Sequence, residues 1–169
     1  MIGLNVGVIG RSEMLYDSAL RLNQAGHNIA FILTAKEAVE YKKTEKDFEA
    51  LAETLDCPFL STPSIGNKSG LDFIQSVDCA DIAVSVNYPN IIPQEVIDQF
   101  EIGILNAHGG DLPRYRGNAC QAWAIINGED RIGLCIHKMV GSQLDSGDII
   151  SRAYHPVDEN TRVGSLLKW

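Results

Sequence analysis

The chain has 169 residues, 45% of them hydrophobic, with a formal net charge of −8 and a pI near 4.9. The length suits one domain with a sizeable core, and the acidic balance argues against a broad electrostatic footprint for nucleic acid or anionic membrane. No apolar run approaches a membrane span, and the N-terminus lacks a basic segment followed by a signal-type apolar core, so the cytoplasm is the expected address.

Leu4 to Ile9 reads as an opening strand. Leu15, Ala19 and Leu22, at three-to-four spacing, then mark an amphipathic helix running to about Ala25. Ser12 stands where an N-cap belongs, and Gly26 is the stop. Gly7 and Gly10 hint at a dinucleotide loop, but the full G-x-G-x-x-G is absent and no acid ends the second strand, Ile29 to Leu33. Lys36 to Asp56 reads as one solvent-facing helix with Phe48, Leu51, Ala52 and Leu55 as its inner stripe. Cys57 to Leu60 predicts a short strand, Ser64 to Gly70 a loop, and Leu71 to Val77 a short helix. Ile82 to Val86 is continuously apolar, as a strand buried on both faces should be, and Gln94 to Phe100 predicts a further helix. The four cysteines (Cys57, Cys79, Cys120, Cys135) share no C-x-x-C spacing and no histidine cluster accompanies them. Buried reduced thiols are expected rather than disulfides or a metal site.

Gly103-Ile-Leu105 reads as a buried strand running into Asn106-Ala-His108-Gly-Gly-Asp111-Leu-Pro113-Arg114-Tyr-Arg116-Gly117. Residues two apart on an extended chain point to one side, so Asn106 and His108 should project into one space. Strand carboxyl ends are where an open α/β sheet binds ligands. An amide donor for an oxyanion, beside an imidazole that can give or take a proton, suits acyl transfer. No serine or cysteine nucleophile belongs to this strand-end cluster, which favours direct transfer. On spacing alone, N-x-H fits equally well a turn cap next to a structural histidine. Ala119 to Asn127 predicts a helix, and Ile132 to Met139 alternates as a strand. That alternation sets His137 opposite Leu134 and Ile136, and it is read, with His27 and His155, as a structural or surface histidine. Gln143-Leu144-Asp145-Ser146-Gly147-Asp148-Ile149-Ile150 is a loop entering another strand. Asp145 fits an Asx-turn; beside a histidine it would orient the ring or relay protons. Thr161 to Trp169 looks like a helix just starting, so the chain is expected to be truncated at its C-terminal end.

Together these two stretches resemble the folate-dependent formyltransferase family, whose pattern is N-x-H-x-S-L-L-P-x-x-R-G followed by D-x-G-x-I. The resemblance runs from the opening strand to about Ile150. It implies a doubly wound α/β domain over residues 1–169, with a mostly parallel, Rossmann-like sheet. It also implies Asn106, His108 and Asp145 as the catalytic trio and N10-formyltetrahydrofolate as formyl donor. Asn87, Tyr88 and Ile91 would then help line the pterin pocket. The chain departs from the pattern at three places: Gly110 replaces a serine, Asp111 a leucine, and Cys120 the proline that follows the R-G pair. Family members formylate methionyl-tRNA, glycinamide ribonucleotide or amino sugars on nucleotide carriers, and formyltetrahydrofolate hydrolases pass the formyl group to water. An acid at Asp111, with Arg114 and Arg116 nearby, leads us to expect a nucleotide-linked amino sugar of polysaccharide synthesis as acceptor, ahead of methionyl-tRNA and glycinamide ribonucleotide. A homodimer is compatible with this reading, and a non-enzymatic ligand-binding domain is the remaining alternative.

Overall fold

The apolar runs become the parallel strands of one sheet. A computed structural model describes residues 3–77 and 80–166, so Cys79 and Trp169 lie outside the described residues. In chain order the elements are β1 (Asn5–Gly10), α1 (Glu13–Gln24), β2 (Asn28–Thr34), α2 (Glu45–Thr54), β3 (Phe59–Ser61), α3 (Lys68–Ser76) and β4 (Ile82–Val86). They continue with α4 (Gln94–Ile97), β5 (Gly103–His108), α5 (Cys120–Ile126), β6 (Arg131–Lys138), β7 (Ile149–Pro156) and α6 (Val163–Leu166). The strand order is β3-β2-β1-β4-β5-β6-β7. β1 to β5 pair in parallel, while β6 lies antiparallel to both β5 and β7.

Alternation along each strand sends side chains to two covered faces, which is what makes the domain doubly wound. Val6 and Val8 point toward α1 and α2, where they meet Leu15, Ala19, Phe48, Leu51 and Ala52. Ile9, Phe31, Leu33 and Ile104 point the other way, onto Ile74 of α3 and Val96 and Ile97 of α4. By the same alternation Asn106 and His108 follow Ile104 on the second face, and Leu105 and Ala107 follow the first. No helix among the described residues is long and apolar enough to cross a membrane.

Four local expectations are corrected. The helix expected from Lys36 starts only at Glu45, because Thr44 and Asp47 close a capping box there, each side chain taking the other's backbone N–H. Residues 36–44 instead bind the start of α1: the Arg11 guanidinium donates to the Lys36 carbonyl and stacks over Tyr41. The loop expected to last until Gly70 ends at Asn67, whose side chain caps α3 by accepting the Gly70 N–H. The helix expected to reach Phe100 is four residues long, and hydrogen-bonded turns complete the segment. Ser12 occupies the N-cap position of α1 with φ 98, yet its buried hydroxyl caps nothing and has no partner among the described residues.

β7 is the exposed edge strand beyond β6. Its pairing with β6 carries a bulge: Ile136 faces Ser151 and His137 faces Ile149, so Ile150 is the extra residue.

Candidate active site

Asn106 and His108 end β5, and the antiparallel β6 sets His137 directly across the ladder from Asn106 and Cys135 across from His108. Residues opposed in this way share a face. The Asn106 Nδ2 is 3.1 Å from His137 Nε2, and the two imidazole rings of His108 and His137 meet edge to face at 6.3 Å. The loop between β6 and β7 brings in Asp145, held at φ 43, a left-handed conformation that aspartate tolerates better than most residues. Gly147, at φ 109, releases that loop into β7; a Cβ there would fall 2.1 Å from the Lys138 carbonyl oxygen.

The Asp145 carboxylate lies between Gly117 and the two histidines. Its Oδ2 accepts the Gly117 N–H at 2.7 Å, and its Oδ1 stands 3.5 Å from His108 Nδ1 and 3.8 Å from His137 Nε2. The other ring nitrogen of His108, Nε2, is 2.7 Å from the Tyr115 carbonyl. His108 is 7% exposed and His137 1%, so the group is shielded from bulk water, where its dipoles act strongly. The Cys120 thiol, 3.6 Å from His108 Nε2, bonds the Gly117 and Tyr115 carbonyls. Burial pushes that thiol up from its ordinary value, with the Asp145 charge adding to the shift, so it stands as a neutral donor.

The segment 109–117 is pinned from outside. The Tyr115 hydroxyl and the Arg114 guanidinium both donate to Glu129, whose carboxyl they hold below its ordinary range. Arg152 of β7 donates to the Leu112 carbonyl at 2.7 Å, and the Tyr154 hydroxyl to Asp111 at 3.1 Å.

The structure therefore brings three expected residues together, Asn106, His108 and Asp145, and adds His137. The reading of His137 as structural or surface overlooked its place in the cluster. Its alternation was sound, but the face opposite Leu134 and Ile136 is the one that carries the site. Asp111 faces the β7 side chains Tyr154 and Arg152. Arg114 is an exposed partner of Glu129, and Arg116 is exposed. Tyr88 is half-buried against the core, its hydroxyl donating to the Thr62 carbonyl, and burial pushes its ionisation up to about 12. Asn87, at φ 54, turns the chain out of β4 and offers its carbonyl to Arg11, while Ile91 is exposed. None of these three lines the cleft of about 570 Å³ whose walls include Ile97, Phe100, Met139 and Val140 together with the charged Asp98, Glu101, Lys138 and Asp148, and Gln94. Cys57, Cys120 and Cys135 are free thiols, the first half-buried rather than buried, and among the described residues no group of three or more ligating side chains is placed to hold a metal ion.

A family model described as formyl transferase matches residues 4–168. The chain belongs to the formyl transferase family. It is 28% identical over 169 residues to the methionyl-tRNA formyltransferase of Geobacter sulfurreducens, covering 98% of this chain and 53% of the relative. To that of Cutibacterium acnes it is 34% identical over 144 residues, or 83% of this chain and 45% of the relative. The chain thus spans about half the length of the curated relatives it matches. Among solved structures, phosphoribosylglycinamide formyltransferase from Anaplasma phagocytophilum superposes with a TM-score of 0.78 at 20% identity, covering 99% of this chain and 79% of that one. A formyltetrahydrofolate deformylase from Pseudomonas syringae does so with 0.76 at 19% identity, covering 99% and 56%. These likenesses establish the sheet and helix arrangement shared with the family.

Proposed function

We propose that this chain transfers a formyl group from N10-formyltetrahydrofolate to a primary amine, with Asn106, His108 and Asp145 as its catalytic residues. The convergence of these three at the end of β5 carries the reading. A carbonyl only accepts, so the His108 nitrogen facing Tyr115 holds its proton, and Nδ1 is the nitrogen left to exchange one with reacting atoms. Asp145 Oδ1 stands 3.5 Å from that Nδ1, and with a proton on Nδ1 the ring offers this second N–H to reacting atoms. The neutral amine attacks the formyl carbon, the carbonyl π pair moves onto oxygen, and the oxyanion forms against N–H groups of Asn106 and His108. The attacking nitrogen passes one proton to Asp145, the bond from the formyl carbon to N10 breaks, His108 Nδ1 gives its proton to N10 as it leaves, and Asp145 returns the proton it took to Nδ1.

The donor's pterin would lie in the cleft of about 570 Å³, whose Ile97, Phe100, Met139 and Val140 give apolar contact while Asp98 and Asp148 offer acceptors to its amino groups. The loop carrying Asn87, Tyr88 and Ile91 leads into Gln94 on the cleft wall, which is how these residues would serve the donor. For the acceptor, a nucleotide-linked amino sugar is favoured by the net charge of −8, which suits a short phosphate carrier better than a long one. Asp111 gives that choice no support, being occupied by β7. Methionyl-tRNA is the second reading, favoured by the names of the curated relatives.

The test incubates the protein with N10-formyltetrahydrofolate and a panel of nucleotide-linked amino sugars, methionyl-tRNA and glycinamide ribonucleotide, and reads formyl gain by mass spectrometry. Gain on one acceptor, lost in Asn106→Ala, supports the reaction and fixes the acceptor. A protein that neither binds the folate nor removes its formyl group refutes it.

A further inference from the structure

We infer that His137 is a positioning residue for Asn106, an inference that rests on the formyl-transfer reading above. His137 is 1% exposed and lies straight across the β5–β6 ladder from Asn106. Its Nδ1 is 3.3 Å from the Lys138 carbonyl, and its Nε2 is 3.1 Å from Asn106 Nδ2. The Lys138 oxygen only accepts, so Nδ1 carries the ring proton and Nε2 presents a lone pair. That lone pair accepts one N–H of the Asn106 amide.

The consequence is orientational. An asparagine amide has a donor end and an acceptor end of nearly equal shape, and its terminal torsion is soft. With Nδ2 held by His137, the second N–H remains for the developing oxyanion. With the amide reversed, Oδ1 would point where a donor is needed, and the oxyanion would meet a lone pair. Asp145 Oδ1, 3.8 Å from His137 Nε2, is a group that would draw a proton onto that nitrogen. It stands closer to His108 Nδ1, at 3.5 Å, and the other carboxylate oxygen is taken by the Gly117 N–H. The contest is therefore settled for the Nδ1–H tautomer, and His137 acts on the reaction through the amide it holds.

Two measurements on the full chain test this. In protein labelled with nitrogen-15 at histidine, with His137→Gln providing the assignment, the His137 ring should show a protonated Nδ1 and an unprotonated Nε2. A ring protonated on Nε2 overturns the inference. This reading needs no turnover, so it stands apart from failure of the formyl-transfer reading, which would appear as wild-type protein leaving N10-formyltetrahydrofolate untouched. The second measurement is a double-mutant cycle. His137→Ala should lower kcat by about tenfold to a hundredfold, short of the ~10²–10³ expected for deleting an oxyanion donor, with the KM for the folate unchanged. In an Asn106→Ala background the same substitution should cost nothing further, because its partner is gone. His137→Gln, whose side-chain oxygen can accept the amide N–H, should recover part of the rate. Losses that multiply in the double variant, or a glutamine variant as slow as the alanine one, overturn the inference. Should His137→Ala fail to fold, the glutamine variant and the labelled spectrum decide.

Discussion

Putting back the serine that the family pattern carries at Gly110 should damage this site. A Cβ built at Gly110 falls 2.5 Å from the Tyr115 carbonyl oxygen, 2.6 Å from His108 Nε2 and 3.0 Å from Cys120 Cβ. Ordinary contact starts at 3.4 Å, so the ring would have to retreat by about 0.8 Å (3.4 minus 2.6) and the carbonyl by about 0.9 Å (3.4 minus 2.5). Those two atoms form the 2.7 Å hydrogen bond that assigns the Nε2 proton, and the new carbon would press on both partners at once. A misplacement of about 1 Å at a reacting group costs roughly 10²-fold in rate, and overpacking of this kind costs about 1–3 kcal/mol of stability. The assay is formyl-transfer kcat for Gly110→Ala and Gly110→Ser, with folate binding measured by calorimetry and stability by urea denaturation. Both variants should lose about 10²-fold in kcat and keep the folate affinity, the alanine separating the effect of Cβ from that of the hydroxyl. A Gly110→Ser protein with wild-type kcat would show that Tyr115 does not control the His108 ring, and the assignment of Nδ1 as the reacting nitrogen would fall with it.

Asn106→Ala should reduce kcat by ~10²–10³ while folate binding persists; a drop below about threefold in single-turnover transfer would remove it from the reaction. Thr44→Ala should cost about 1 kcal/mol in urea denaturation, by loss of the α2 cap, with kcat unaltered. Asp47 is held below its ordinary value of 3.8, first by the Thr44 backbone N–H and then by the Thr44 hydroxyl. A depressed carboxyl stabilises the fold at pH above its unfolded value, and that contribution is lost as pH falls through the folded one. The gap in urea midpoint between wild type and Asp47→Asn should therefore close on acidification from about pH 6 to about pH 2; a constant gap would contradict the cap geometry. Burial pushes the Cys57 thiol up to about 11, so iodoacetamide at about pH 8 should label Cys57 far more slowly in native than in urea-unfolded protein, since only the thiolate reacts.

Much of the sheet was legible because its strands are written in apolar runs. Ile82 to Val86 was read with both ends in place, since a strand covered on both faces needs no partner to declare itself. The start of α2 was legible and overlooked: Thr44 and Asp47 have capping-box spacing. The charged residues before it have good helix propensity, and their contacts to Arg11 outweigh it. His137 was placed on the correct side of its own strand. Knowing that this side holds the site requires the β5–β6 register that sets it against Asn106, and no pattern within one strand contains that register. Asp111 misled for a similar reason. It neighbours His108 in sequence, while the hydroxyl that takes it lies 43 residues away on β7. The two glycines at 109 and 110 are not there to turn the chain. Neither has a positive φ, and what each provides is room: a Cβ on Gly109 would meet the Gln121 side chain, as one on Gly110 would meet His108.

The bulge at Ile150 gives β7 one residue that its ladder does not use. Deleting Ile150 would leave Ile149 across from His137 and Ser151 across from Ile136, so the later pairs would keep their register. A residue inserted after Ser151 meets no such slack: it would push the rest of β7 on by one against β6, and a one-residue slip sends every later side chain to the opposite face. Arg152 and Tyr154, which hold the Leu112 carbonyl and Asp111, would swing away together, releasing the segment whose Tyr115 carbonyl fixes His108. An insertion between Ser151 and Tyr154 should accordingly be more disruptive than most substitutions there, although almost every residue of the strand is exposed.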